Sequence, residues 1–489
     1  MSTPETTPPV RAAASLGGPV GGRVGWWPLV VIASAHLMGT IDTTVMFVAL
    51  PSVQRGLSLN VTDRQWVITA YSVALAGFLL PGGRLADRLG ARRTLLIGVA
   101  GFACASAIGG ASVNGVMLIS ARAVQGAFAA VLISSTKSLL ITVYTDENQR
   151  ARVMGVFTAT VASGGAVGLV LGGALTSGLG WRWCLYINVA LALVSLIAGP
   201  LVLPSIPGRK DVRIDLPSIL LAVVGMGALV YGLGEASSLG WSSWQIVVSL
   251  VAAVLLLSGF VAFQVGKSQP MLPLRVVVDR NRGWAMIGLI VNGISSMGLL
   301  LILTYQLQDV MGYSALRTGI ALMPFVLAAA LGAALIAPFL MVRVPPRWLM
   351  AGSIVIEAAG LIPLIWLTPT STYLPLVLVA TVIEGLGSGL AAPVILNTAL
   401  GGVLPSDTGA AGAGTSAASQ LGGSIGAALL NTIAATATAS FLVGHTGASL
   451  EIATVHGFAV AMIWGAAITV VAAVPIAVFV NARAPARRG

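Results

Sequence analysis

Charge is scarce in this sequence, and the shortage decides its class. Of 489 residues only 8% are Asp, Glu, Lys or Arg, while 57% are hydrophobic. A soluble globular protein carries roughly 25% charged residues. At this length a soluble chain needs a polar surface over several domains, which so few charges cannot cover. Soluble classes are excluded, and the chain reads as an integral membrane protein. Cysteine is nearly absent: Cys104 and Cys184 form no C-x-x-C, so no disulfide framework is expected. His36, His445 and His456 are too scattered for a metal site. A Walker A sequence is missing, so ATP is not the expected energy source. Paired acids or clustered histidines near an interface are missing too, and no enzyme or cofactor is expected. Lysine is limited to Lys137, Lys210 and Lys267, against 23 arginines. The net charge of +11 sits mostly in short loops, which points to membrane orientation rather than nucleic acid.

What the chain has in abundance is long apolar runs. A spanning helix needs about 20 mostly apolar residues. Breaks at charges, prolines and turn residues leave fourteen such runs, at 27–49, 65–82, 94–112, 116–140, 152–176, 184–203, 216–236, 245–266, 284–305, 317–340, 348–368, 374–400, 410–440 and 455–480. None alternates apolar and polar residues as a barrel strand does. The run from Trp26 lacks an A-x-A-like cleavage site close behind it, so it reads as a retained first helix rather than a signal peptide. With the N-terminus inside, the inner segments hold 20 Lys and Arg residues and the outer loops hold 4. That bias predicts both termini on the cytoplasmic side of the plasma membrane.

Between the second and third runs stands Gly83-Arg84-Leu85-Ala86-Asp87-Arg88-Leu89-Gly90. Gly83 and Gly90 suit tight helix ends and close backbone approach, and Asp87 suits a charge contact that breaks when helices rock. The G-x-L-A-D-R-x-G spacing resembles the loop signature of the major facilitator superfamily. Other strings agree with that resemblance. Asp42-Thr43-Thr44-Val45, continuing to Ala49-Leu50-Pro51, is similar to the first-helix motif of the 14-span drug:proton antiporters. Arg122-Ala123-Val124-Gln125-Gly126 matches R-x-x-Q-G, and Trp181-Arg182-Trp183 with Asn188 resembles W-R-W…N. The stretch Gly412 to Gly426, with Gln420, is similar to the thirteenth span of the same subfamily. Three positions depart from the pattern. Leu169 stands where the antiporter motif has proline, Ser134 also replaces a common proline, and Ala91 replaces a common basic residue. Gly164, Gly168 and Gly172, with Gly173 beside them, still make a ridge for close helix packing.

A charge in mid-span is costly and is a functional candidate by default. At 1.5 Å per residue, Asp42 lies roughly 22 Å above the inner start of the first run. Arg122 lies about 9 Å below the outer start of the fourth, which in a ~30 Å core is nearly the same depth. The two are expected to pair, either as a proton-coupling unit or as a static clasp. Lys137 is expected to snorkel to the inner interface. Glu357 and Glu384 both fall near mid-membrane. The family arrangement implies that the twelfth span lines the pathway, so Glu384 is the candidate to carry a proton or meet a cation, and Glu357 a packing residue, neutral and hydrogen-bonded. Asn292, Asn397 and Gln420 are candidates for cavity hydrogen bonds, Glu235 is expected to be solvated, and Trp366 and Trp464 to face lipid or the interface.

The resemblance implies an all-α integral membrane fold with 14 transmembrane helices. Two six-helix bundles, 27–203 and 284–480, would flank two extra central helices in 216–266, with cytoplasmic tails at 1–26 and 481–489. It also implies secondary active export of small amphipathic or cationic drugs in exchange for protons. Export of one metabolite or antibiotic, as in self-resistance, and lipid handling are the alternatives. The partners expected are the lipid bilayer, a small-molecule substrate and protons.

Overall fold

The computed structural model describes residues 25–144, 146–205, 207–208, 215–267, 270–403, 407–445 and 447–481. Nearly all of them are helical, and no strand occurs among them. The long helices are α1 Trp27–Leu57, α2 Val61–Leu89, α3 Ala91–Gly110, α4 Gly115–Val143, α5 Glu147–Gly178, α6 Trp183–Val202, α7 Leu216–Leu239 and α8 Trp244–Gln264. They continue as α9 Arg280–Val310, α10 Ala315–Met341, α11 Pro346–Trp366 and α12 Tyr373–Leu400, then α13 Thr408–Gly444 and α14 Leu450–Phe479. Thirteen are long and apolar enough to cross a membrane, and α5, with 32 residues, matches them in length. Each of the fourteen sequence runs maps onto one of these helices. The expected tails, apart from a few residues, and the side chain of Lys137 lie outside the described residues.

Local chemistry sets the helix starts. Asn60, Asn114, Asp146, Asp279, Ser314 and Ser449 each accept from the backbone N–H three residues on. Such a cap contributes about 1 kcal/mol by satisfying a donor that the helix itself leaves free. The helix ends differ from the sequence runs. The first helix passes through Pro51 to Leu57, and the second passes through Pro81 to Leu89. Charged and proline residues mark the edge of the apolar core without ending the backbone hydrogen bonding, since neighbouring helices accommodate the break. The signature string 83–89 is therefore the last two turns of α2, not a loop. Gly90 alone separates α2 from α3, at φ 90, a conformation other residues rarely adopt.

We call the face where α1 begins the near face and its opposite the far face. Helices α1–α6 pack among themselves, as do α9–α14, while α7 and α8 pair with each other and α7 leans on α2 and α13. At the near ends Lys267 Nζ donates to Asp215 Oδ2. Burial opposes ionisation of Asp215, but hydrogen bonds from Lys267 and Ser218 outweigh it and hold this carboxyl below its ordinary value. Outward apolar side chains such as Val251, Val254 and Leu255 of α8 and Val471 and Val474 of α14 are exposed, as lipid contact requires. This is a multi-pass membrane protein.

The apolar core is joined at one face and divided at the other. Its far half is one cluster, in which Val45, Phe47 and Leu50 of α1 meet Leu299 and Leu303 of α9, Leu322 of α10 and Leu430 of α13. In the near half, the cluster around Leu75, Leu95 and Leu132 of α1–α6 reaches the second group at Ala417 of α13, and Met350, Val394 and Ile476 belong to a distinct α9–α14 cluster.

Candidate functional site

Helix periodicity puts Arg122 and Gln125, three apart, on one face of α4. That face meets Asp42 of α1 in the middle of the first helix group. Arg122 Nη1 donates to Asp42 Oδ2 at 2.5 Å and to Gln125 Oε1 at 2.6 Å. Gln125 Nε2 donates to Asp42 Oδ1 at 2.8 Å and lies 2.8 Å from Ser106 Oγ of α3. Asn188 Nδ2 of α6 donates to Asp42 Oδ1 at 2.7 Å. Arg122 Nε donates to the Val67 carbonyl of α2 at 3.1 Å, and the guanidinium lies 4.3 Å from the Tyr71 ring centre. Asp42, Arg122, Gln125, Ser106, Asn188 and Tyr71 are all buried. Five helices thus contribute to one network, in which α4 and α6 donate to the carboxylate of α1 and α2 and α3 hold its partners. A buried ion pair holds together only when its remaining donors and acceptors are matched, and here one acceptor is spare: Asn188 Oδ1 has no partner.

The expected pairing of Asp42 with Arg122 is present. The roles of Gln125, Asn188, Ser106 and Tyr71 as partners escaped the sequence reading. The signal for the first two lay in the quoted R-x-x-Q-G and W-R-W…N strings, whereas nothing marked Ser106 or Tyr71.

The glycine ridge of α5 lies against this site. A Cβ on Gly164 would meet Leu37, one on Gly168 would meet Thr44, and one on Gly172 would stand 2.8 Å from the Val45 Cα. All three contacts are with α1, on either side of Asp42. Gly173 faces the other way, toward α10, where a Cβ would stand 2.6 Å from the Leu316 Cα. Leu169 is buried, and α5 runs unbroken through it. Its carbonyl abuts Gly319 of α10.

The signature segment divides by residue. Gly83 has nothing within 4 Å of an added Cβ, and the close approach to α4 belongs to Gly82, 2.9 Å from the Ala130 carbonyl. The packing expected of Gly83 is therefore displaced by one residue. Arg84 Nη2 donates to the Pro270 carbonyl at 2.5 Å. Asp87 and Arg88 are exposed at the near face.

At the far face the two helix groups are latched. Arg55 pairs with Asp309 at 3.3 Å, Gln308 Nε2 donates to the Val48 carbonyl at 2.8 Å, and the Leu316 N–H donates to Ser177 Oγ at 3.2 Å. Asn431 joins Arg64 and Gln65 at 3.1 and 2.8 Å.

In the second group Glu384 is fully buried rather than open to a cavity, and Glu357 lies in the same polar cluster. Asn292 Nδ2 donates to Glu357 Oε1 at 2.8 Å. Asn397 is exposed and Gln420 half-buried. Trp366 and Trp464 are exposed, as expected. Glu235 is half-buried and accepts from Trp66 Nε1 at 3.4 Å, so it ties α7 to α2 instead of being only solvated. A cavity of about 530 Å³ lies between α2, α7, α8, α9 and α13. Its walls are mostly apolar, including Met226, Phe260 and Leu421, with Asp279 and Arg280 at one end. None of the expected cavity residues lines it.

The sequence profile of the Major Facilitator Superfamily matches residues 32–427. The chain belongs to that superfamily. It is a membrane transporter and not an enzyme. This superfamily member is 42% identical to the puromycin resistance protein of Streptomyces alboniger over 98% of its own length and 95% of that protein. It is 35% identical to the cephamycin export protein of Amycolatopsis lactamdurans, covering 92% and 91% of the two chains. Among solved structures, a bacterial homologue of the human lysosomal transporter Spinster matches with a TM-score of 0.65 at 17% identity, over 94% of this chain and 98% of that one. A POT family peptide transporter, PepTSo, matches at 0.66 and 15%, over 92% and 98%. At those identities the likeness is one of fold.

Proposed function

We propose that this superfamily member exports small amphipathic or cationic antibiotics from the cytoplasm in exchange for protons, by alternating access. The observation that carries the reading is the buried Asp42–Arg122 pair at the centre of a chain whose relatives are resistance and export proteins. Asp42 and Arg122 form the coupling unit. A proton arriving on Asp42 takes the place of the arginine as its partner, and the spare Asn188 Oδ1 is an acceptor for the new O–H. Bringing the carboxylate back to Arg122 releases the proton. The groups 27–203 and 284–480 rock about the central region, with 216–266 as the extra pair. Asp87, Arg88, Gly83 and Gly90 form the near-face signature, and Asp87, exposed while the far face is latched, gains its charge contact in the opposite state. Glu384, Asn292, Asn397 and Gln420 remain the candidates for the second group's part in coupling and substrate contact. A dedicated exporter of one antibiotic is the second reading, favoured by relatives whose names each carry a single compound.

The test is transport in inside-out vesicles from plasma membranes. An imposed proton gradient drives accumulation of amphipathic cationic antibiotics, and a proton ionophore abolishes it. Accumulation that ignores the ionophore rejects proton exchange. Uptake of one antibiotic out of a broad panel selects the dedicated exporter.

Orientation has its own expected result. The near face is the cytoplasmic one, by the loop charge bias. On a background lacking Cys104, Ser242→Cys in the α7–α8 connection is labelled by an impermeant thiol reagent from outside. Val278→Cys, before α9, is labelled only from the cytoplasmic side. The reverse pattern inverts the topology and with it the direction of transport.

A further inference from the structure

One hexapeptide occurs twice in the second helix group. Val355-Ile356-Glu357-Ala358-Ala359-Gly360 of α11 returns as Val382-Ile383-Glu384-Gly385-Leu386-Gly387 of α12, V-I-E-x-x-G in both. The helices are consecutive and antiparallel, and the two copies meet where they cross. A Cβ on Gly360 would stand 2.5 Å from the backbone nitrogen of Glu384, and one on Gly387 would stand 2.5 Å from that of Glu357. Each glycine admits the other helix's glutamate, so the crossing has a local two-fold symmetry and brings both acids to one place.

Both acids are fully buried. Glu357 Oε1 accepts from Asn292, and Glu384 Oε1 accepts from Ser295 Oγ at 3.2 Å and Ser296 Oγ at 3.0 Å. Ser388 Oγ completes the cluster, 2.9 Å from Asn292 Nδ2 and 3.1 Å from Ser296 Oγ. The second oxygen of each acid, Glu357 Oε2 and Glu384 Oε2, is buried without a partner. That pattern is unlike Asp42, both of whose oxygens are matched. No described cation faces the pair. On the elements packed around it, the titratable groups are Arg280, Arg282, Tyr305 and Asp309 of α9, Arg317 of α10, Arg347 of α11, Tyr373 of α12, and Glu451 and His456 of α14. All of them stand toward helix ends, and α13 carries none between Thr408 and Gly444. Two ionised carboxyls buried in one cluster of neutral donors, each with a bare oxygen and neither with a counter-charge, are an arrangement that burial does not support. A proton on either one removes a charge and supplies a donor.

We propose that Glu357 and Glu384 form a second proton site, a carboxyl pair that holds one shared proton while the far face is latched and exchanges it during the cycle. Glu357 is then a partner in proton binding and not only a packing residue. The exchange rests on the reading of this chain as a proton-driven exporter, whereas the binding does not.

The experiment uses the full-length protein in lipid nanodiscs, with pH titrations followed by infrared spectroscopy. A carboxylic-acid carbonyl band is expected in the unaltered protein, weakened and shifted in Glu357→Gln and in Glu384→Gln, and lost in the double variant. A band unchanged in the double variant overturns the proposal. Because a variant can fail to fold, the unaltered protein is also treated with an apolar carbodiimide, which adds only to protonated carboxyls. Mass mapping should place the adduct on Glu357 or Glu384 and lose it at alkaline pH, and no adduct on either acid overturns the site. The number of protons moved per substrate in vesicles is expected to fall by one in the double variant. An unchanged ratio, with the infrared band lost, overturns the exchange. Failure of proton-driven export itself appears separately, as ionophore-insensitive uptake by the unaltered protein.

Discussion

Asp42→Asn is expected to abolish uphill export while leaving substrate binding measurable. An asparagine can keep one oxygen for the Gln125 and Asn188 donors, but it sets its own N–H₂ group or a neutral oxygen against Arg122. It neither carries an exchangeable proton nor balances the guanidinium. Removing one partner of a buried pair typically costs about 3–5 kcal/mol, because the other charge is left uncompensated. The variant is therefore expected to be less heat-stable as well as inactive, which alone would not separate coupling from a structural clasp. The double variant Asp42→Asn with Arg122→Gln separates them. It removes both charges, so the stability loss is largely relieved, as for pairs replaced by neutral groups. If the pair is a clasp, the double variant recovers transport together with stability. If it couples, stability returns while the accumulation ratio in vesicles stays near that of passive exchange. Uphill accumulation by Asp42→Asn with an unchanged pH dependence would place the coupling proton elsewhere.

The sequence reading reached the class, the number of helices and the Asp42–Arg122 contact because those follow from long-range regularities. A run of about 20 apolar residues is a physical requirement of the bilayer, and two charges at equal depth in a low-dielectric core have little choice but each other. What escaped it was settled by rotation about helix axes. Depth arithmetic placed Glu357 and Glu384 at mid-membrane, yet said nothing of which way each faced, nor that the repeated V-I-E-x-x-G brings the two to one crossing. Gly83 was singled out over Gly82 for the same reason: adjacent residues on a helix point about 100° apart, and only the packed structure tells which meets α4. The break placed before Pro51 failed differently. Proline is a helix breaker in water, but tolerated within membrane bundles.

The second large effect is expected at the crossing of α5 and α10, where the far face is sealed. Gly173 touches the Leu316 backbone, Gly319 touches the Leu169 carbonyl, and the Leu316 N–H is held by Ser177. No side chain separates the two helices at these points, so the latch depends on glycine on both sides. Gly173→Leu leaves α5 free to pack on α1, since Gly164, Gly168 and Gly172 lie on its other face. It opposes only closure against α10. Overpacking of that kind costs typically 1–3 kcal/mol, and about 3 kcal/mol moves a two-state equilibrium roughly a hundredfold. A transporter that must visit both states then turns over slowly, because the far-closed state has become rare. Spin labels at Ser58 and Gly312, on opposite sides of the latch, are expected to move apart in Gly173→Leu, with transport reduced at least about tenfold by the same population argument. Gly173→Ala should fall between the two, since its Cβ alone already meets the Leu316 backbone. An unchanged label distance with full turnover would mean that the α5–α10 contact opens and closes without needing these glycines, and that the seal rests on Arg55, Asp309 and Asn431 instead.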